Sequence, residues 1–97
     1  MVLKLPIDTN ITDLDISGKK LTECPDLSRY TKLIKLDISY NKITQLDNLP
    51  PGLTELDCRN NKITQLDNLP PGLTELDCRN NKITQLDNLP HGLIELN

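Results

Sequence analysis

Apolar and polar side chains alternate over Leu53-Thr54-Glu55-Leu56-Asp57-Cys58-Arg59, with Leu56 and Cys58 on one face and Glu55, Asp57 and Arg59 on the other. A period of two predicts a half-buried strand. Asn61 ends the alternation with a residue suited to turning the chain. Ile63, Leu66 and Leu69 then return apolar groups at wider spacing before Pro70-Pro71 and Gly72. The whole unit recurs. Residues 51–70 and 71–90 are identical, His91 stands where Pro71 stands one unit earlier, and the half-unit Asn-Lys-Ile-Thr-Gln-Leu-Asp-Asn-Leu-Pro also stands at 41–50. Diluted versions begin at Leu33 (Leu33, Leu36, Ile38, Asn41, Ile43) and at Ile11 (Ile11, Leu14, Ile16, Leu21), and Leu93-Ile94-Glu95-Leu96-Asn97 opens a further unit. A fixed period of this length signals a stacked repeat architecture.

Twenty residues leave no room for a strand, two turns and a helix. The pattern predicts a thin right-handed solenoid with a parallel sheet on the concave side and extended, polyproline II segments on the convex side. Strands are expected near 13–16, 35–38, 55–58, 75–78 and 94–96. The longer first unit, with Pro25-Asp26-Leu27-Ser28-Arg29-Tyr30, has space for one helical turn around 26–30. Gly72 is expected to permit a tight corner. Residues 1–10, which contain Leu3, Leu5 and Ile7 but not the repeat, are read as an N-terminal cap. Residues 11–97 form the repeat domain, with units starting near 11, 33, 53 and 73 and a partial one at 93.

The unit Leu-x-x-Leu-x-[Cys/Ile]-x-x-Asn-x-Ile-x-x-Leu resembles the leucine-rich repeat family over residues 11–97. Its closing Leu-Pro-Pro-Gly-Leu is similar to the shortest repeats of that family, those of secreted bacterial effectors and of giant viruses of amoebae. The resemblance implies a non-catalytic module that binds another protein on its concave face. Identity between copies is equally compatible with a repeat scaffold lacking a dedicated ligand. A fragment of a larger effector is a third reading.

Stacked strands lie about 4.8 Å apart, so equivalent residues form ladders. Asn41, Asn61 and Asn81 form one, and their amides are expected to satisfy backbone groups of neighbouring coils. Lys19 holds this place in the first unit. Cys58 and Cys78 share the inward strand position with Ile16 and Ile38, while Cys24 aligns with Leu46, Leu66 and Leu86; all three thiols read as small core groups. His91 is the only histidine. It falls in a turn, away from any second ligand or nucleophile, so neither a metal site, a cofactor site nor an enzyme is expected.

The outward strand positions carry more information. Asp13, Lys35, Glu55, Glu75 and Glu95 make one column, Asp15, Asp37, Asp57, Asp77 and Asn97 a second, and Ser17, Ser39, Arg59 and Arg79 a third. Acids outnumber bases heavily on this face. Like charges at strand spacing repel by up to ~3 kcal/mol at an effective dielectric of ~20, before screening. The Asp column is therefore expected to titrate above the ordinary Asp value. Such a face is either a solvated surface whose Asp residues serve turn chemistry, or a docking surface for a basic protein. The candidate binding residues are Lys35, Asp37, Tyr40, Glu55, Asp57, Arg59, Glu75, Asp77 and Arg79. Tyr40 stands where Gly18, Asn60 and Asn80 sit in other units, and is the candidate aromatic anchor. Tyr30 is assigned to the convex wall.

Composition narrows the field. The net charge of −3 disfavours nucleic acid, and no apolar run is long enough to span a membrane. Three cysteines and no apolar leader at Met1–Pro6 point to intracellular, cytoplasmic synthesis, with signal-independent delivery into another cell compatible. Ile94 takes the place of Thr54 and Thr74, which makes the last strand more apolar. Leu93, Ile94, Glu95, Leu96 and Asn97 are read as an edge that pairs with a second copy, giving an end-to-end homodimer.

Overall fold

A computed structural model of the chain describes residues 3–87 and 89–97, so Met1 and Val2 of the expected cap lie outside the described residues. Five short strands form one parallel sheet in chain order: β1 (Asp13–Asp15), β2 (Lys35–Asp37), β3 (Glu55–Asp57), β4 (Glu75–Asp77) and β5 (Glu95–Leu96). The register matches the sequence repeat, with Leu14, Leu36, Leu56, Leu76 and Leu96 paired in succession. Each strand is only two or three residues long, because the coil must turn again within its unit. Among the described residues there is no helix, on the convex side or elsewhere.

The first unit departs from the expected helical turn. Tyr30 N–H donates to Leu27 O (3.1 Å) and Leu33 N–H to Tyr30 O (3.1 Å), so two tight turns follow each other. Asp26 Oδ1 fixes the first by accepting from Ser28 N–H (3.0 Å) and Ser28 Oγ–H (2.6 Å). Tyr30 occupies the place of Pro50 and Pro70, is fully buried, and donates its hydroxyl to Pro6 O (2.6 Å). This bond ties residues before the first repeat to the wall. Leu3 and Leu5 pack against the core, whereas Ile7 is 98% exposed and covers nothing.

The Leu-Pro-Pro-Gly-Leu corner is also a tight turn, closed by Leu53 N–H to Pro50 O (3.3 Å) and Leu73 N–H to Pro70 O (3.2 Å). It does not use glycine's freedom. Gly72 has no left-handed backbone, and a Cβ there would meet nothing within 4 Å. The left-handed corners belong instead to Gly18, Lys20, Tyr40, Asn48, Asn60, Asn68 and Asn80. Asparagine tolerates this region better than most residues.

Between coils, the asparagine ladder does what its sequence position requires. Asn61 Nδ2 donates to Ile38 O (3.0 Å) in the coil before and to Cys58 O (3.0 Å) in its own, and its Oδ1 accepts from Ile43 N–H (3.0 Å). Asn81 repeats this with Cys58 O, Cys78 O and Ile63 N–H, all at 3.0 Å. Asn41 reaches the irregular first unit, where its Oδ1 takes both Lys19 N–H and Leu21 N–H at 3.0 Å.

Burial depends on the neighbouring coil more than on the residue. Leu46 and Leu66 are each 2% exposed, and the identical Leu86 is 58% exposed. Cys58 is fully buried, while Cys78 and Cys24 are half-buried; all three are free thiols. The inward assignment thus holds completely for Cys58, and burial pushes each of the three thiols above its ordinary pKa.

Replacing Asn61 with Ala should destabilise the fold by about 2–4 kcal/mol, since one buried N–H and two buried carbonyls lose their partner. Asn81→Ala should cost less, because Asn81 is half-buried. Urea unfolding of the two variants measures the difference; equal losses would contradict the role of burial.

Candidate functional site

The outward faces of the strands line one shallow groove of about 580 Å³, in which Asp13, Asp15, Lys35, Asp37, Glu55, Asp57, Glu75, Asp77 and Glu95 all take part. The parallel register brings the sequence columns together as expected: Lys35 pairs with Glu55, Asp37 with Asp57, and Asp57 with Asp77. Three of the bases are engaged by acids. Lys35 Nζ lies 3.6 Å from Glu55 Oε2, Arg59 Nε 3.3 Å from Asp57 Oδ2, and Arg79 Nη2 2.8 Å from Asp77 Oδ2. The acids of the groove outnumber these partners, so it keeps a negative balance.

A local bond explains why four Asp residues can stand in line. Asp15 Oδ1 accepts from Ser17 N–H and Asp37 Oδ1 from Ser39 N–H, both at 2.9 Å. Asp57 and Asp77 accept likewise from Arg59 N–H (3.2 Å) and Arg79 N–H (3.3 Å). Each carboxylate terminates its own strand by bonding two residues ahead, a stabilisation that offsets repulsion along the column. The Asp-x-[Ser/Arg] spacing carried this signal in the sequence.

The column therefore does not titrate uniformly upward. Ser17 hydrogen bonds hold Asp15 below the ordinary carboxylate range, and Arg79 does the same for Asp77. Asp57 is raised, first by burial and then by repulsion from Asp37 and Asp77. Arg59 and Arg79 have identical sequence neighbours but different partners. Arg79 makes a bidentate pair with Asp77, through Nε at 3.0 Å and Nη2 at 2.8 Å. Arg59 lies with its guanidinium carbon 5.6 Å from the centre of the Tyr40 ring, and its water-shielded Nε has no aligned acceptor. The coil preceding Arg79 offers Asn60 where Tyr40 precedes Arg59.

Tyr40, Arg59 and Arg79 do not themselves line the groove; Tyr40 is 57% exposed, with φ of 56°, and reaches the groove's margin through Arg59 and its ion pair with Asp57. That conformation is strained for an aromatic residue, and strain of this kind costs on the order of 1–3 kcal/mol. The sequence marks Tyr40 as an exception to its column; the strain is visible only in the backbone. The expected edge residues lie at the other end of the sheet. β5 pairs with β4 alone, with Ile94 85% and Leu96 39% exposed and Leu93 partly buried.

The split within the Asp column has a consequence for pH. Asp15 and Asp77 contribute stability that is present above the unfolded Asp value and lost as pH falls through their lowered folded values. Asp57 acts oppositely: stability is greatest below its unfolded value and declines as pH rises through its raised folded value. Residue-resolved carboxyl titration by nuclear magnetic resonance should place Asp57 above, and Asp15 and Asp77 below, the ordinary value; a single common midpoint would refute the assignment.

Comparison with known proteins agrees with this architecture. The family described as Leucine Rich repeats (2 copies) matches residues 51–91, and Leucine Rich Repeat matches residues 32–53. No curated protein matches the chain in sequence. Among solved structures, the leucine-rich repeat domain of a Shigella effector is similar, with 25% identity and a TM-score of 0.60. The likeness covers 91% of this chain and 49% of that one, so this chain spans about half the length of its structural relative. The repeat signature, the parallel ladder and these matches together place the chain in the leucine-rich repeat family.

Proposed function

We propose that the chain is a non-catalytic protein-interaction module whose concave strand face receives a basic segment of a partner protein. The observation that carries this reading is the acidic balance of the groove after Lys35, Arg59 and Arg79 have been assigned to Glu55, Asp57 and Asp77. Asp57 supports it: its carboxylate is half-buried and its charge is opposed by Asp37 and Asp77, so an incoming cation relieves a repulsion already present. Membership in a family that generally binds proteins supports the class, not the partner. Tyr40 serves as the aromatic anchor at the margin.

Three narrower readings belong to the same proposal. The exposed β5 edge, Leu93–Asn97, pairs antiparallel with a second copy, and Ile94 supplies its apolar contact. The free thiols fit synthesis in the reducing cytoplasm, and residues before Ile11 act as a cap through Leu3, Leu5 and the Tyr30–Pro6 bond.

Tyr40→Asn should separate folding from binding. It should leave stability unchanged or raise it by about 1 kcal/mol, because Asn accepts the left-handed backbone at lower cost. Partner binding should weaken nonetheless. A protein captured by the native chain and lost with Tyr40→Asn, and with Asp57→Lys plus Asp77→Lys, supports the concave site; capture indifferent to all of these removes it. For the second copy, light scattering during gel filtration should show a dimer that Ile94→Lys converts to monomer. A monomer at high concentration, unchanged by that substitution, dismisses the edge pairing.

A further inference from the structure

Beyond the concave face, the solenoid carries a second charged surface of opposite sign, on the edge where the chain leaves the sheet. Lys42, Lys62 and Lys82 occupy the same place in successive coils, and Lys20 continues the row into the first unit. All four are exposed. None belongs to the three ion pairs among the described residues. The row is set by the backbone: Lys42 N–H donates to Leu21 O (2.7 Å), Lys62 N–H to Ile43 O (2.9 Å) and Lys82 N–H to Ile63 O (2.9 Å). On either side of each of Lys42, Lys62 and Lys82, an Asn and an Ile turn inward, so the lysine is the outward residue between two anchors.

Two residues on, Thr22, Thr44, Thr64 and Thr84 form a parallel exposed row. From Ser39 to Leu46, Arg59 to Leu66 and Arg79 to Leu86 no acid occurs, and the next carboxylates are Asp47, Asp67 and Asp87. The coils of Lys42, Lys62 and Lys82 thus each present an ammonium and a hydroxyl with no carboxylate in that stretch to answer them, whereas in the first coil Glu23 follows Thr22.

We propose that this edge docks an acidic helix of a partner protein, lying along the solenoid axis. The ladder repeats at the coil spacing of about 4.8 Å, and a helix presents one face every turn, about 5.4 Å. Over three steps the two drift apart by about 2 Å, which flexible lysine side chains absorb. An extended acidic strand repeats each face at about 6.8 Å and falls out of step by about 6 Å over the same distance. Charge complementarity selects an acidic partner, and the spacing selects a helix. A polyphosphate backbone is disfavoured, because its unbroken charge would meet the acidic groove that borders this edge.

The test uses the full chain and three fluorescent probes: an alanine-rich helical peptide with glutamates at i, i+4, i+7 and i+11, the same composition with glutamates scrambled off that face, and a single-stranded oligothymidylate. The ordered peptide should bind at low salt and weaken as ionic strength rises toward physiological values. Lys42→Gln plus Lys62→Gln plus Lys82→Gln should weaken it about tenfold, a loss on the scale of three exposed ion pairs, while Lys→Arg at the same positions should retain it. Asp57→Lys plus Asp77→Lys should not abolish it, which separates this edge from the concave site. Absence of binding, equal binding by the scrambled peptide, preference for oligothymidylate, or indifference to the lysine substitutions would each overturn the proposal.

Discussion

The structure depends on a side-chain amide that spans two coils. A solenoid of strands this short has few backbone bonds per turn, and each coil leaves carbonyls and N–H groups facing inward where the chain bends away from the sheet. Asn61 and Asn81 each bridge two carbonyls and an N–H of adjacent coils. Asparagine alone among short side chains carries donor and acceptor at the needed separation. The turn behind it can therefore close without water, and the Leu, Ile and Cys side chains ahead of it can stack without a polar defect. The ladder is a vertical seam, and the apolar core is packed around it.

That seam makes stability a nearest-neighbour property. A coil is completed partly by the residues of the coil that follows, so equal sequences acquire unequal environments. Leu66 and Leu86 share every neighbour in sequence within several residues, yet one is sealed and the other open. Arg59 and Arg79 diverge through the coil that precedes them, one over Tyr40 and the other clamped to Asp77 where Asn60 stands in place of the ring. Local sequence decides the shape of a coil here, and the adjoining coil decides its energetics.

This division explains what could be read from the residues alone. Strand positions, the parallel register, the asparagine ladder and the charged columns follow from spacing, because a fixed repeat turns sequence separation into spatial separation. What escaped were features of the individual turn. Gly72 stands in a tight corner as expected, but the left-handed backbone falls on Asn48 and Asn68 and leaves Gly72 with ordinary backbone. The Asp column was expected to titrate upward as a whole, because the turn chemistry also read for its carboxylates was not set against their repulsion. Ile7 looked like part of the cap, although it points to solvent while Pro6 takes the Tyr30 hydroxyl. Each error concerns where a backbone group finds its partner, which apolar periodicity does not encode.

Exact repetition also changes how evidence for function should be weighed. Duplicating a unit copies its Asp, its Lys and its Thr together, so the length of a ladder adds no independent support for any one of them. Geometry must supply that support, through an unsatisfied charge or a matched spacing. The positions that break the repeat are different, since duplication cannot explain them. Tyr40 replaces residues that bear a left-handed backbone easily, and it holds that strained conformation beside Arg59, whose guanidinium lies over its ring while Nε stays 3.3 Å from Asp57 without an aligned bond. The Asp57 carboxyl is raised, and burial and its Asp neighbours are what raise it. A left-handed aromatic residue, a cation shared between a ring and a carboxylate, and a half-buried carboxylate thus meet within one pair of coils, at Tyr40, Arg59 and Asp57. If the proposed concave site has a centre, that convergence favours the coils of β2 and β3, where the repeat is imperfect, over its perfect copies.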